Sequence, residues 1–247
     1  MASAAPLPDP PKRPRAQRPD RTPGPAPRRR SLTREAIVEA SIKVLDAEGL
    51  DAMTMRRVAQ ELDTGAASLY AHVADKEELI ELVVDRVIGE LDVPDALDPD
   101  QWQEQLKQMG RAMRATLGRH GDIARASFAR VPLGPNALRG MEPIVAVMRA
   151  GGLPDQVVAY AADLLGLYVT AVAYEDSIYS QLDISPERAA EYISGMREYL
   201  AALPSDRFPT LKALAGPLTA GAEGDERFEF GLEVLVRGLE AMAKDGS

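Results

Sequence analysis

The run Met53-Thr54-Met55-Arg56-Arg57-Val58-Ala59-Gln60-Glu61-Leu62 is short and amphipathic. It breaks at Asp63-Thr64-Gly65 and is followed by a second run, Ala66-Ala67-Ser68-Leu69-Tyr70-Ala71-His72-Val73. Two helical runs joined by a polar, glycine-containing turn are the layout of a helix-turn-helix. Thr54 is placed to cap the first run, whose inner face is Met55, Val58, Ala59 and Leu62. Leu69, Tyr70 and Val73 form the inner or flanking face of the second. Upstream, Thr33 is a plausible N-cap with Glu35 in the first turn. Ile37, Ala40, Ser41, Val44 and Leu45 then recur at helical spacing up to Gly49. Downstream, Asp75-Lys76-Glu77-Glu78 has the capping-box pattern and predicts a fourth helix from Lys76 to about Leu91.

Such an arrangement suits a duplex groove if the leading end of the second run is small, because bulk there holds the backbone away from base edges. Ala66, Ala67 and Ser68 meet that need. Arg56, on the preceding helix, is the stronger candidate for reading a base, since arginine can grip guanine with two hydrogen bonds. Thr54, Tyr70, His72 and Lys76 suit phosphate, and Thr54 and Lys76 lie at helix N-termini where backbone N–H groups also favour anions. For Tyr70 a place in the core, and for His72 simple solvation, are the competing readings.

Beyond residue 91 the helical pattern continues. The Asp- and Pro-rich stretch 92–100 is the expected domain boundary. Helices are expected over 100–120 and 135–150, from Pro154 onward, from Ser185-Pro186 to about 203, and over 225–244. Segment 121–134 reads as short helix or turn, and 204–224 as loop. No segment sustains strand alternation, so the fold class is all-α, with an N-terminal helix-turn-helix domain over 31–91 and a larger helical bundle over 92–247. Residues 157–174 are apolar nearly all round and reach the length of a membrane span. Asp163 interrupts them, and Ala, Gly and Tyr outnumber Leu and Ile. A buried helix, covered partly by its own domain and partly by a second copy, is the better reading, with no membrane involved.

The last helix carries Phe228, Leu232, Leu235, Leu239 and Met242 at alternating spacings of four and three, with Gly231 and Gly238 beside that seam. Mid-helix glycine costs about 1 kcal/mol relative to alanine, and a close helix crossing would account for both. We therefore expect a homodimer in which the 155–182 and 225–244 helices form an intermolecular four-helix bundle. A seam packed only within its own chain is the alternative.

The net charge of −9 over 247 residues argues against a polyanion partner until its distribution is considered. Residues 1–30 carry eight basic side chains against Asp9 and Asp20, a net +6, so the remainder carries −15. Nine prolines in those thirty residues predict a disordered arm, either touching DNA or serving as a solubilising leader. Cys is absent, excluding disulfides and thiolate metal sites and fitting a reducing cytoplasm. No secretory h-region is expected at the N-terminus. With two histidines, no nucleophile elbow and no phosphate loop, the usual catalytic constellations are missing, and no cofactor is expected. A His120, Asp122 and Glu142 metal site has no recurring ligand spacing, so no metal is expected either.

The segments Thr33–Ile37, Ala47-Glu48-Gly49-Leu50, 54–59, 68–73 and Lys76-Glu77-Glu78-Leu79 resemble the DNA-binding domain of the tetracycline-repressor (TetR) family. One departure is Asp63-Thr64 where that family often has Gly-Val. Aspartate tolerates the left-handed conformation such a turn requires. The resemblance implies a homodimeric regulator, usually a repressor, released from a palindromic double-stranded DNA operator by a small-molecule effector. It also implies phosphate contacts at Tyr70, His72 and Lys76, and base contacts at Arg56, Ala66, Ala67 and Ser68. The segment 228–240 is similar to the last helix of the tetracycline-repressor ligand domain. Arg125 stands where that repressor has its metal-ligating histidine, so magnesium–tetracycline is not expected as effector. Ligand sites are largely apolar with few polar groups. By side-chain type we expect Trp102, Met109, Met113, Arg125, Phe128, Met148, Tyr168, Tyr174 and Glu175 to line a site for a bulky hydrophobic molecule. A regulator without an effector, or an activator working through a protein partner, is the competing function.

Overall fold

Residues 32–93, 98–128, 130, 132–182, 185–220 and 224–245 are described in the computed structural model; the basic arm over 1–30 lies outside them. Among the described residues there are helices and no strands. They are α1 (Arg34–Glu48), α2 (Met55–Glu61), α3 (Ala66–Leu69), α4 (Lys76–Ile88), α5 (Trp102–Gly118), α6 (Ile123–Ser127), α7 (Pro135–Ala150), α8 (Asp155–Gln181), α9 (Pro186–Ala202), α10 (Pro209–Ala213), α11 (Ala215–Thr219) and α12 (Gly224–Asp245). The stretch expected to be loop near 204–224 thus holds two one-turn helices. The run from Ala66 to Val73 is α-helical only over its first four residues.

The N-terminal helices begin where side chains satisfy their free N–H groups. Thr33 accepts from the Ala36 N–H at 3.1 Å, Thr54 from Arg57 at 3.2 Å and Asp75 from Glu78 at 2.9 Å. The Glu78 carboxylate reaches back to the Ala74 N–H at 2.6 Å, completing a capping box displaced by one residue. Helices α1 to α4 pack around the buried Ile37, Val44, Leu45, Met53, Val58, Leu69, Leu79 and Val83. Ile37, Val44, Leu45, Val58 and Leu69 are residues whose spacing predicted these helices, whereas Met53 comes from the loop before α2 and Leu62 is only half-buried.

α4 belongs to two cores. It packs against α1 on one side and against α5, α6 and α7 on the other, so its buried residues, Leu79, Ile80, Val83, Val84 and Val87, cover more than one helical stripe. Residues from Thr33 onward cluster as one compact unit. Asp85 fixes α4 to α7, a helix with no cap of its own. Its Oδ1 accepts from the backbone N–H groups of Asn136 (3.1 Å) and Ala137 (2.9 Å), and its Oδ2 from the Asn136 side chain (3.1 Å).

The body is built on α5, α7, α8 and α12, whose inward side chains form one cluster: Trp102, Leu106, Met109, Val147, Met148, Val158, Leu165, Val169, Phe228, Leu232 and Val236. Gly151 lets the Trp102 ring lie against the backbone; a Cβ there would come within 2.5 Å of it. α8 has the length and a mean hydropathy of 1.6 that a membrane span requires. Its contacts with α5, α6, α7 and α12 are those of a central bundle helix.

Removing the shared cap should separate α4 from α7. Asp85→Ala is expected to cost about 1–2 kcal/mol, lowering Tm by a few degrees in a thermal melt. A melt coincident with the wild type would contradict this account of the junction.

Candidate nucleic-acid interface and effector region

α2 ends in a hydrogen-bonded turn that aims the next segment outward. The Thr64 N–H donates to the Ala59 carbonyl at 2.9 Å and the Asp63 N–H to the Gln60 carbonyl at 3.1 Å. This is the Schellman pairing, which needs a left-handed residue at the first position past the cap. Asp63 occupies it with φ 50, the one described non-glycine residue in that region. The expected tolerance of aspartate there is met.

From Gly65 the chain makes the single turn of α3, then continues to Val73 through the His72 and Val73 N–H groups, which both donate to the Leu69 carbonyl. Leu69 and Val73 point inward and are buried; Ala67 and Ser68 are exposed and Ala66 is half-buried. Tyr70 is 55% exposed, so it belongs to the outer face and not to the core. His72 is exposed as well, and Lys76 is half-buried at the first position of α4.

The two adjacent arginines have different surroundings. Arg57 is held by Glu48 (2.6 Å) and Glu61 (3.1 Å), and both hydrogen bonds raise its pKa. Arg56 is exposed and pairs with no carboxylate among the described residues. Thr54, Arg56, Ala67, Ser68, Tyr70 and His72 thus expose a surface of small, hydroxyl-bearing and cationic side chains, supported from behind by the buried Leu69 and Val73.

The nine side chains considered for the effector do not converge on one cavity. Trp102, Met109 and Met148 are closed into the body core, where the spacing of apolar residues already required something to fill it. Arg125 forms a two-pronged pair with Asp51 (2.8 and 3.2 Å), turning toward the head. Tyr168 stacks flat on Phe228 with centroids 5.7 Å apart and donates its hydroxyl to the Phe228 carbonyl at 3.0 Å. Glu175 pairs with Arg227. Met113 is half-buried at the edge of the core. Phe128 and Tyr174 meet edge to face at 5.7 Å where α6 crosses α8. His120 sits between Asp46 and Glu90, each at 3.1 Å, and Asp122 is engaged elsewhere, so the two do not act together with Glu142.

None of those nine residues lines either of two open clefts among the described residues. One, of about 150 Å³, lies between α8 and α12 and is lined by Leu106, Leu164, Leu165, Leu235, Gly238, Leu239 and Met242 among others. The other, of about 450 Å³, is bordered by Arg111, Arg114, Asp176, Asp225 and Glu229, with Phe228 under the Arg114 guanidinium at 4.7 Å.

The seam expected on α12 divides in two. Phe228 and Leu232 are covered by their own chain, so they cannot meet a second copy. Gly231 faces the Tyr168 hydroxyl, not another helix backbone, while Gly238 has open space around it. Leu235 and Leu239 are half-buried and Met242 is exposed. The uncovered stripes run along Tyr160, Leu164 and Leu167 on α8 and along Phe230 and Val234 on α12, where the expected Gly238 and Met242 continue the line at spacings of four. A flank of α12 beside this stripe carries charge to α5: Arg111 pairs with Glu229 (2.7 Å) and Lys107 with Glu233 (3.0 Å), and both carboxyls are held below their ordinary range by these partners.

A helix-turn-helix head joined to an all-helical body defines a class of DNA-binding transcriptional regulators. Residues 37–83 match the family model "Bacterial regulatory proteins, tetR family", and residues 93–243 the model "Tetracyclin repressor-like, C-terminal domain". The chain belongs to the tetR family. It is 35% identical over 232 residues to the HTH-type transcriptional repressor DrrR1 of Streptomyces coeruleorubidus, covering 92% of this chain and 82% of that one. It aligns at 24% identity with the class D tetracycline repressor protein of Escherichia coli, over 85% of this chain and 89% of that one. ActR of Streptomyces coelicolor, crystallised with actinorhodin, superposes with a TM-score of 0.80 at 46% identity, covering 88% of this chain and 99% of that one.

The turn conformation gives a direct test. A β-branched residue is costly at positive φ, so Asp63→Val is expected to destabilise by about 1–2 kcal/mol, whereas Asp63→Asn should be nearly neutral. Urea unfolding measures both, and equal stabilities for the two variants would be incompatible with a left-handed residue at this position.

Proposed function

We propose that this chain is a cytoplasmic homodimeric repressor that holds a palindromic operator and lets go when a small hydrophobic molecule binds. The observation that carries this reading is the outward face of 54–76. Small side chains at Ala66, Ala67 and Ser68 allow the backbone close to base edges. Arg56 is free to read a base, and Thr54, Tyr70, His72 and Lys76 flank it for phosphate. The division 31–91 for DNA and 92–247 for ligand and dimer follows, with α4 shared between them.

The uncovered stripes of α8 and α12 support dimerisation. Large apolar side chains left side by side on two adjacent helices mark an interaction face, and two copies packed through them make the four-helix bundle. The same stripes account for the apolar length of α8 without a membrane. Two heads would then meet successive major grooves about 34–36 Å apart, or a multiple of that.

For the effector we favour the α6–α8 crossing, where Phe128 and Tyr174 present aromatic edges, over the filled core around Trp102, Met109 and Met148. That ActR has been crystallised with actinorhodin and with (S)-DNPA supports a small-molecule ligand for its relative here. The filled core favours the competing reading, a regulator without effector. Stabilisation by a screened compound, read as a thermal shift, distinguishes the two, because a ligand selective for the native state must raise Tm.

Two outcomes are expected on operator DNA selected from random sequence. In fluorescence-anisotropy titrations Lys76→Ala weakens binding to all sequences and reduces the salt slope by about 1, whereas Arg56→Ala costs about 1–3 kcal/mol at one base position and relaxes preference there. Wild-type affinity in both variants would refute the assigned face. Leu164→Glu combined with Phe230→Glu yields a folded monomer in sedimentation, with palindrome binding reduced to that of a single half-site. A dimer persisting in that variant would exclude the α8–α12 interface.

A further inference from the structure

The turn between α1 and α2 is held from the body. The Leu50 N–H donates to Asp122 Oδ2 at 3.0 Å, and Asp122 Oδ1 accepts from Gln181 Nε2 at 3.0 Å. Gln181 is the last residue of α8, and Asp122 immediately precedes α6. One carboxylate therefore ties the end of the helix that carries the uncovered stripe to the backbone just before α2. Gly49, at φ 83, closes against the same carboxylate; a Cβ there would come within 3.2 Å of Oδ2. Arg125 adds a second grip on Asp51 and lies 3.5 Å from Asp122, and it holds the Asp51 carboxyl below its ordinary range. Asp122 is only 9% exposed, so the Leu50 N–H has little water to replace it.

We propose that Asp122 and Gln181 are positioning residues for DNA binding, setting the tilt of the head against α8 and hence the separation of the two recognition segments. A head attached only through α4 keeps its freedom to turn about that helix. Attachments away from the α4 axis remove this freedom; the Leu50–Asp122–Gln181 chain is the one that reaches the end of α8, beside the Arg125–Asp51 and His120–Asp46 pairs. Neither side chain belongs to the face assigned to DNA. A change at the end of α8 reaches the head directly, without passing through α4. The inference rests on the homodimeric reading above, because separation has meaning only for two heads.

The test varies the spacer between two half-sites and compares full-length variants. The wild type is expected to prefer one spacing. Gln181→Leu and Asp122→Ala should lose about threefold to tenfold of the discrimination against sites lengthened or shortened by one base pair, with single half-site affinity unchanged. Asp122→Asn should restore discrimination, because its amide oxygen can accept from Leu50 while its NH₂ donates to a flipped Gln181. Hydrogen exchange at the Leu50 amide should quicken in the first two variants and not in the third. Should Asp122→Ala fail to fold, Gln181→Leu, at an exposed position, carries the comparison. Wild-type discrimination in Gln181→Leu overturns the inference; a wild type indifferent to spacing overturns the homodimeric reading instead.

Discussion

α4 is the structural constraint on which both halves depend. One helix of thirteen residues is buried against α1 on one side and against α5, α6 and α7 on the other. Its capping box is anchored in the head, and its Asp85 caps the first turn of α7. Each half therefore uses α4 to complete its own core, and neither is enclosed without it. A change in body packing cannot leave the head where it was, because close-packed interiors transmit displacement and do not absorb it.

The surface proposed to meet DNA carries little chemistry of its own. Its shape comes from Leu69 and Val73 pointing inward at helical spacing and from a turn closed by backbone hydrogen bonds. Only then does the exposure of Ala67, Ser68 and Tyr70 acquire meaning. Of two neighbouring arginines, Arg57 is committed to Glu48 and Glu61, which leaves Arg56 available. In sequence these residues are chemically identical. Their difference lies in which side of α2 faces the end of α1.

α8 and α12 each have two apolar faces with different destinations. Phe228 and Leu232 enter the body core, whereas Phe230 and Val234 remain outside. A stripe at alternating spacings of four and three identifies helix packing without saying whose helix is packed against. The inward stripe of α12 was therefore legible, and its outward neighbour was not. The same ambiguity explains the effector candidates: Trp102 and Met148 have the chemistry of cavity walls and of core equally, and the packing of α5 against α7 makes them core.

Local rules were sufficient wherever one stretch of chain contains the whole physical cause. The caps at Thr33, Thr54 and Asp75, the break at Asp63-Thr64-Gly65 and the all-helical class were readable because they depend on side chains within four residues of the backbone they satisfy. The contacts between Leu50, Asp122 and Gln181, between Arg125 and Asp51, and between Asp85 and α7 join residues 51 to 74 positions apart. No periodicity encodes such partners, since they are selected by the approach of helices after the chain has collapsed, when an unpaired buried polar group becomes costly.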